Sequence, residues 1–303
     1  MREEPWQVRL TARSIKKKDK LRLLRRSLPI NHSRVALDLG CSQGLLSFHL
    51  RQRGGFWVSG DEDMPSLREA HSLLGRDLVQ LRGNRLPFPD GCFDTVLCLD
   101  YLEHVDKDEE VLKEIGRVLK KNGELILVTP QTGKFFLLHK LRAALGLKLE
   151  YFGHKREGYS ARELEAKLER SGLVPEKKVS YSRFFSEFLE LLLNLVYIKL
   201  LSKPQPEETR EGHIRPSSAT EFSRQARIFT LYSFIYPLVW IFSRLDSLLF
   251  FLKGYSLMVW ARKGERAAPL GVPCQSEPLG SSKSFGGANN LSGITCRAAR
   301  TLA

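Results

Sequence analysis

The sequence predicts an α/β fold on a mostly parallel sheet, with an apolar helical insertion ahead of the last strand. Three observations predict it. Short apolar runs alternate with helical patterns over residues 35–130, the signature of βαβ units. The first run, Val35–Gly40 (VALDLG), is apolar except for Asp38, as a strand buried on both faces requires. Two long apolar segments, 184–201 and 228–252, then precede a final run that reads as a strand.

The elements follow in order. Residues 14–27 (SIKKKDKLRLLRRS) read as a basic helix closed by Pro29. Val35–Gly40 is the first strand, and Gly44–Arg53 the helix after it. Phe56–Gly60 is the second strand, and Pro65–Leu74 a helix with proline near its start. Leu78–Leu81 and Asp94–Leu99 are strands separated by turn chemistry at 86–91 (LPFPDG). Asp108–Lys120 is a helix ended by Asn122–Gly123, and Glu124–Thr129 a fifth strand. Ser160–Ser171 is a helix with Ser160 as N-cap, Glu163 three residues on, and Gly172 closing it. Val174–Ser182 and Tyr255–Arg262 complete the strands. The chain thus divides into a basic lead-in (1–34), a core (35–182 and 254–263), an apolar insertion (183–253) and a disordered Gly/Ser/Ala/Pro-rich tail (264–303).

Composition narrows the function classes. With 42% hydrophobic residues the chain can bury a core. Its five cysteines show no paired or metal-type spacing, which fits a reducing compartment. The net charge of +14 is uneven. Residues 1–34 carry 11 basic and 3 acidic side chains, whereas 35–130 carry 11 and 16. An acidic middle with basic ends suits a small-molecule site flanked by attachments, and argues against nucleic acid. No basic–aromatic platform supports a nucleic-acid partner either.

The chemistry concentrates in Leu37-Asp38-Leu39-Gly40-Cys41-Ser42-Gln43-Gly44. Gly40 and Gly44 let backbone approach a ligand at a helix start. Asp38 places negative charge there, which suits a cationic cofactor and repels a pyrophosphate. Acids also end the second strand, in Gly60-Asp61-Glu62-Asp63. There a carboxylate can accept both hydroxyls of a ribose; the register favours Glu62, with Asp61 second. Leu86–Asp94, Leu99–Val105 and Arg117–Leu125 follow in order. Together these motifs resemble the type 11 family of class I S-adenosylmethionine-dependent methyltransferases, whose relatives act on quinones, sterols and glycolipids.

The resemblance implies a Rossmann-like fold and S-adenosylmethionine held by Asp38, Gly40, Ser42, Gly44, Asp61, Glu62 and Asp100. Ser42 replaces the usual middle glycine. The family's acid near the adenine is missing, and Asn84 is the substitute in reach. Methyl transfer depends chiefly on aligning two reactants. For a hydroxyl acceptor a general base helps, and His104 beside Asp100 is placed for that role. His104 and Glu103 could instead brace the following helix. His154 and Tyr159 lie in a stretch that often closes over the acceptor in this family. No two histidines are spaced as metal ligands, so no protein-bound metal is expected.

The insertion adds a location. Phe184–Leu201 has 13 apolar residues of 18, with Glu187, Glu190 and Asn194 in one polar stripe. Ile228–Phe242 carries no charge over 15 residues, and Pro237 interrupts it. Both flanking strands belong to one sheet, so the segment must return to its starting side. Two crossings would bury the stripe, so helices lying in a membrane interface fit better. A helical lid or a dimer contact would satisfy the same pattern. Seven cations at Lys16, Lys17, Lys18, Lys20, Arg22, Arg25 and Arg26 would meet an anionic leaflet. The expectation is a cytoplasmic, peripherally membrane-associated methyltransferase with a small or lipid-linked acceptor. The alternative is a non-catalytic membrane-interaction protein on a degenerate methyltransferase fold.

Overall fold

The computed structural model describes residues 4–82, 85–133, 137–147, 154–196 and 219–264. The expected tail from 265 on, the end of the first apolar segment (197–201) and Asn84 lie outside them.

Seven strands form one sheet: β1 (Val35–Leu39), β2 (Phe56–Asp61), β3 (Leu78–Gln80), β4 (Phe93–Leu99), β5 (Leu119–Pro130), β6 (Leu173–Tyr181) and β7 (Ser256–Lys263). Their order is β3-β2-β1-β4-β5-β7-β6. The first five run parallel, and β7 lies antiparallel between β5 and β6. The chain order reverses at β1 and β4, and the C-terminal edge of that pair is where an open α/β sheet presents a ligand site. Asp38, next to last in β1, is in register with Ser59 of β2 and Leu97 of β4.

The helices that cover this sheet are mostly those expected. They include α3 (Leu45–Arg51), α4 (Met64–Leu74), α5 (Asp108–Val118) and α7 (Ala161–Arg170). Ser160 caps α7 by accepting from the Glu163 N–H. Two short helices, α1 (Trp6–Thr11) and α6 (Leu137–Ala144), have no counterpart in the sequence reading. The boundary drawn at Asn122–Gly123 is corrected. Helix α5 ends at Val118, and β5 begins at once with Leu119 paired to Phe93. The register then jumps to Thr95 opposite Glu124, so Lys120–Gly123 form a bulge in which Asn122 takes a φ of 61°.

The N-terminal segment is also more than a lead-in. Helix α2 (Ile15–Ser27), capped by Ser14, buries Leu21 and Leu24. With Leu28 they pack in one cluster with Ala36, Trp57, Leu97, Ile126, Met258 and Trp260. Helix α2 therefore belongs to the layer that covers one face of the sheet. The opposite face packs against Val111, Leu112 and Ile115 of α5 and Leu164 and Leu168 of α7.

The insertion leaves and re-enters the core at one point. The Tyr255 N–H donates to the Ser182 carbonyl at 2.7 Å, as the shared sheet demanded. Its helices are α8 (Phe184–Val196), α9 (Ala219–Arg224) and α10 (Ala226–Ser243), and a 3-10 turn at Arg244–Leu249 follows. The Asp246 carboxylate accepts from the Arg183, Phe185 and Ser186 N–H groups, so the turn caps the start of α8.

The polar stripe of α8 points the opposite way from a solvated face. Glu187 and Asn194 are buried, whereas Phe188, Leu192 and Val196 are exposed. Glu187 accepts from Lys16 of α2 and Arg142 of α6, both at 2.7 Å. Burial pushes its carboxyl up, but the two cations outweigh that and hold it below the usual glutamate range. One carboxylate thus ties the insertion to two elements of the core. Glu187→Gln would leave two largely buried cations without their counter-ion. It should destabilise the chain by about 3 kcal/mol, measured by urea unfolding at neutral pH.

Candidate functional site

The C-terminal edges of β1, β2 and β4 open into a cavity of about 510 Å³. Asp38, Gly40, Ser42, Asp61, Glu62, Asp100, Glu103, His104 and His154 line it. Sequence reasoning marked all of these except Glu103 as site residues, and placed Glu103 beside them. The backbone of the two loops is bent to make the site. Gly40, Ser42 and Gly44 take φ values of 78°, 49° and 76°, and Asp100 takes 52°. Non-glycine residues in that region mark local strain held by the surrounding fold, as ligand sites often show.

Each carboxylate has its own environment. Asp38 is buried under the glycine loop and accepts from the Ser47 hydroxyl. Ser47 in turn accepts from Ser59, and Ser59 from Arg51, so the chain of hydroxyls ends on a cation. Burial pushes the Asp38 carboxyl up to about 6, against the lowering effect of the Ser47 hydrogen bond. Asp61 accepts from the Ser42 and Asp63 N–H groups at 2.7 and 3.0 Å. Its carboxylate is spent on shaping the loops, which leaves Glu62 as the acid that can hold ribose hydroxyls. Glu62 accepts here from the Tyr101 hydroxyl at 2.8 Å.

Tyr101 was not singled out in the sequence, yet it shapes the site. A Cβ on Gly40 would sit 2.6 Å from its ring. Gly44 is different. It does not line the cavity, and a Cβ there would meet Leu74 and Ala70 of α4 at 2.9 and 3.0 Å. Its glycine serves helix packing and the positive φ, and the expectation that it contacts the cofactor is corrected.

Beyond the glycine loop the cavity continues past His104 and His154, whose rings meet edge to face at 4.8 Å. Glu103 is fully buried between them and the sheet. Burial first, and then Asp100, push its carboxyl up to about 8, so it is a neutral acid at pH 7. Burial and the neighbouring His104 push His154 down to about 3, so that ring is uncharged. Ligand atoms of Glu103, His104 and His154 lie within 4.8 Å of one another. The spacing argument against a metal does not see such a cluster, because its residues come from two loops fifty residues apart. Tyr159 does not join them. It is buried, and its hydroxyl donates to Asp108 at 2.8 Å below the cavity. The expectation that it binds substrate is corrected: it ties the 154–159 loop to α5.

The rest of the wall is formed by α2 and α8, which the sequence reading assigned to a membrane, and by α6, which it did not foresee. Lys16, Lys17 and Lys20 of α2 line the cavity with His139 and Arg142 of α6 and Glu187, Glu190 and Asn194 of α8. Lys20 is buried and pairs with Asp100. Burial pushes Asp100 up, but Lys20 outweighs it and the carboxyl is held low. A polar stripe on an apolar helix was the available signal, but its pattern does not distinguish solvent from a polar cavity.

The sheet, with its antiparallel seventh strand, belongs to a fold shared with solved methyltransferases. Residues 37–127 match the model of a methyltransferase domain. A carboxymethyltransferase for tRNA U34 from Sulfurimonas denitrificans is 32% identical over 36% of this chain and 39% of its own length. A ubiquinone biosynthesis O-methyltransferase from Xanthomonas euvesicatoria is 30% identical over 46% of this chain and 62% of its own. The chain thus spans less than two thirds of these relatives. A SAM-dependent methyltransferase from Archaeoglobus fulgidus shares the fold, with a TM-score of 0.50, 16% identity and coverage of 81% and 94% of the two chains.

The cofactor of such a domain is S-adenosylmethionine, and the residues present fit it. Asp38 would supply the buried negative charge, Glu62 a carboxylate whose tyrosine hydroxyl a ribose hydroxyl can replace, and Gly40 a close backbone approach. Gly40→Arg should abolish binding in isothermal titration by filling that approach. The sign of the pH effect follows from Asp38, whose carboxyl is charged above about 6 and neutral below it. Affinity for S-adenosylmethionine should therefore fall as pH drops from 7.5 to 5. S-adenosylhomocysteine, which lacks the sulfonium charge, should respond less, and Asp38→Asn should remove the difference.

Proposed function

We propose that this chain transfers a methyl group from S-adenosylmethionine to a small, lipid-linked or membrane-delivered acceptor. The observation that carries this reading is the inverted helix α8, whose polar stripe walls the cavity while its apolar side faces out. Helix α10 extends that apolar exterior. Phe234 is 84% exposed, Leu238 70% and, beyond the turn, Phe250 77%. The run Ala226–Leu249 is long and apolar enough to cross a membrane by length and composition, and little of it is buried. A polar chamber beneath an apolar exterior suits an amphiphile whose head enters while its tail stays outside.

When bound, the cofactor supplies an electrophilic methyl on a sulfonium. The chain's own residues do the rest. Asp38 balances the cofactor's positive charge from beneath, and Glu62 fixes the ribose. His104 can take the proton of an acceptor hydroxyl as the oxygen attacks, and the neutral His154 ring packed against it can donate its N–H to the acceptor's polar end. The far wall, with Arg142, Glu190 and Asn194, fixes the acceptor's polar end so that the displacement runs in line. Catalytic assistance of this kind is worth about 10²–10⁴-fold, so His104→Ala should lower kcat by that factor and leave cofactor affinity unchanged.

The same exterior supports peripheral attachment on the cytoplasmic side. Arg224 and Arg227 are exposed at one end of the apolar run, and Lys253 at the other. Helix α2 contributes less than its seven cations promised. Lys16 and Lys20 point into ion pairs, while Lys18, Arg22, Arg25 and Arg26 stay exposed. Attachment should therefore rest chiefly on apolar burial, with about 1 kcal/mol for each cation near the surface. Flotation with liposomes of about 30% anionic lipid tests it. The chain should float at low salt and be released only partly by high salt. A chain left at the bottom would make the exterior a contact between proteins. Labelled methyl turnover with a membrane-lipid extract tests the acceptor class; label in a lipid product supports it. Cofactor binding without turnover on any extract would favour the non-catalytic alternative.

A further inference from the structure

The cofactor half of the cavity is crowded with acids. Asp38, Asp61, Glu62, Asp63, Asp100 and Glu103 all line it. Such a wall attracts the sulfonium and ammonium of S-adenosylmethionine but repels the carboxylate of the same amino-acid end. A buried carboxylate needs a cation beside it.

Two of the cavity's cations, Lys16 and Arg142, both bind Glu187. Lys20, on the same wall, reaches the cofactor edge: it is 6% exposed, with its ammonium on Asp100. It comes from α2, outside the matched residues 37–127. Its position is fixed by packing, because Leu21 and Leu24 on the same helix are buried against the sheet.

We propose that Lys20 is a cofactor-binding residue, its ammonium holding the α-carboxylate of S-adenosylmethionine while Asp100 takes the ammonium of the same group. The inference rests on the cofactor reading above. One internal ion pair is exchanged for two pairs with the ligand, so no charge is left buried alone. The helix that reads in sequence as a basic membrane anchor is then a wall of the cofactor site.

Isothermal titration of the full chain with two ligands tests this: S-adenosylmethionine, and decarboxylated S-adenosylmethionine, which keeps the sulfonium, ribose, adenine and amine. Lys20→Met should weaken S-adenosylmethionine by about 10- to 100-fold, the usual range for a lost charged hydrogen bond. It should leave the decarboxylated ligand unchanged or tighter. Lys20→Arg, which keeps the charge, should preserve the preference of the original chain between the two ligands. Equal weakening of both ligands by Lys20→Met would make Lys20 a structural residue and overturn the assignment, as would no weakening of either. Failure of the unsubstituted chain to bind both ligands would instead remove the cofactor reading itself.

Discussion

The arrangement depends on one constraint: a charge taken out of water must meet its partner. Glu187 is the clearest case. It lies on a helix otherwise rich in leucine and phenylalanine, and it is almost wholly buried. Lys16 and Arg142 answer it from two other helices. That three-way contact fixes which side of α8 faces in. Once the polar stripe is committed to the cavity, Phe188, Leu192 and Val196 have only the outside left. The apolar exterior and the polar interior are therefore two consequences of the same ion pairs.

The same constraint orders the cofactor edge. Six carboxylates lie close together there, and five of them are handled in different ways. Asp38 is masked by hydroxyls that lead to Arg51, and Asp61 is used up on backbone N–H groups. Asp100 is matched by Lys20, and Glu103 is held as a neutral acid. Glu62 reaches the cavity with a tyrosine hydroxyl as its partner, a contact that a ribose hydroxyl can replace in kind. Division of labour among like charges is what allows an acidic wall to bind a cationic cofactor without repelling itself apart.

Much of this was legible in the chain, for physical reasons that differ by element. The parallel strands show because burial on both faces makes them continuously apolar, as in Val35–Leu39. Asp38, Gly40 and Glu62 show as cavity residues because their placement depends on local backbone and on strand ends. Lys20, Tyr101 and Glu187 did not show as site residues, because their partners lie 80, 39 and 45 positions away. Local pattern records that a helix has a polar stripe, but not what the stripe faces. Histidines 104 and 154 failed the metal-spacing test for the same reason: their proximity is made by the sheet. Gly44 misled in the opposite direction, since a glycine required by a positive φ and a neighbouring helix looks like one required by a ligand.

The central claim is that the methyltransferase core, α2 and the inverted α8 make one cavity around one cofactor. Hydrogen–deuterium exchange of the full chain, with and without S-adenosylhomocysteine, tests it most directly. The account predicts added protection in three places at once: the Gly40–Gly44 loop, residues 14–27 of α2, and residues 184–196 of α8. Protection confined to residues 37–127, with α2 and α8 exchanging as before, would contradict it.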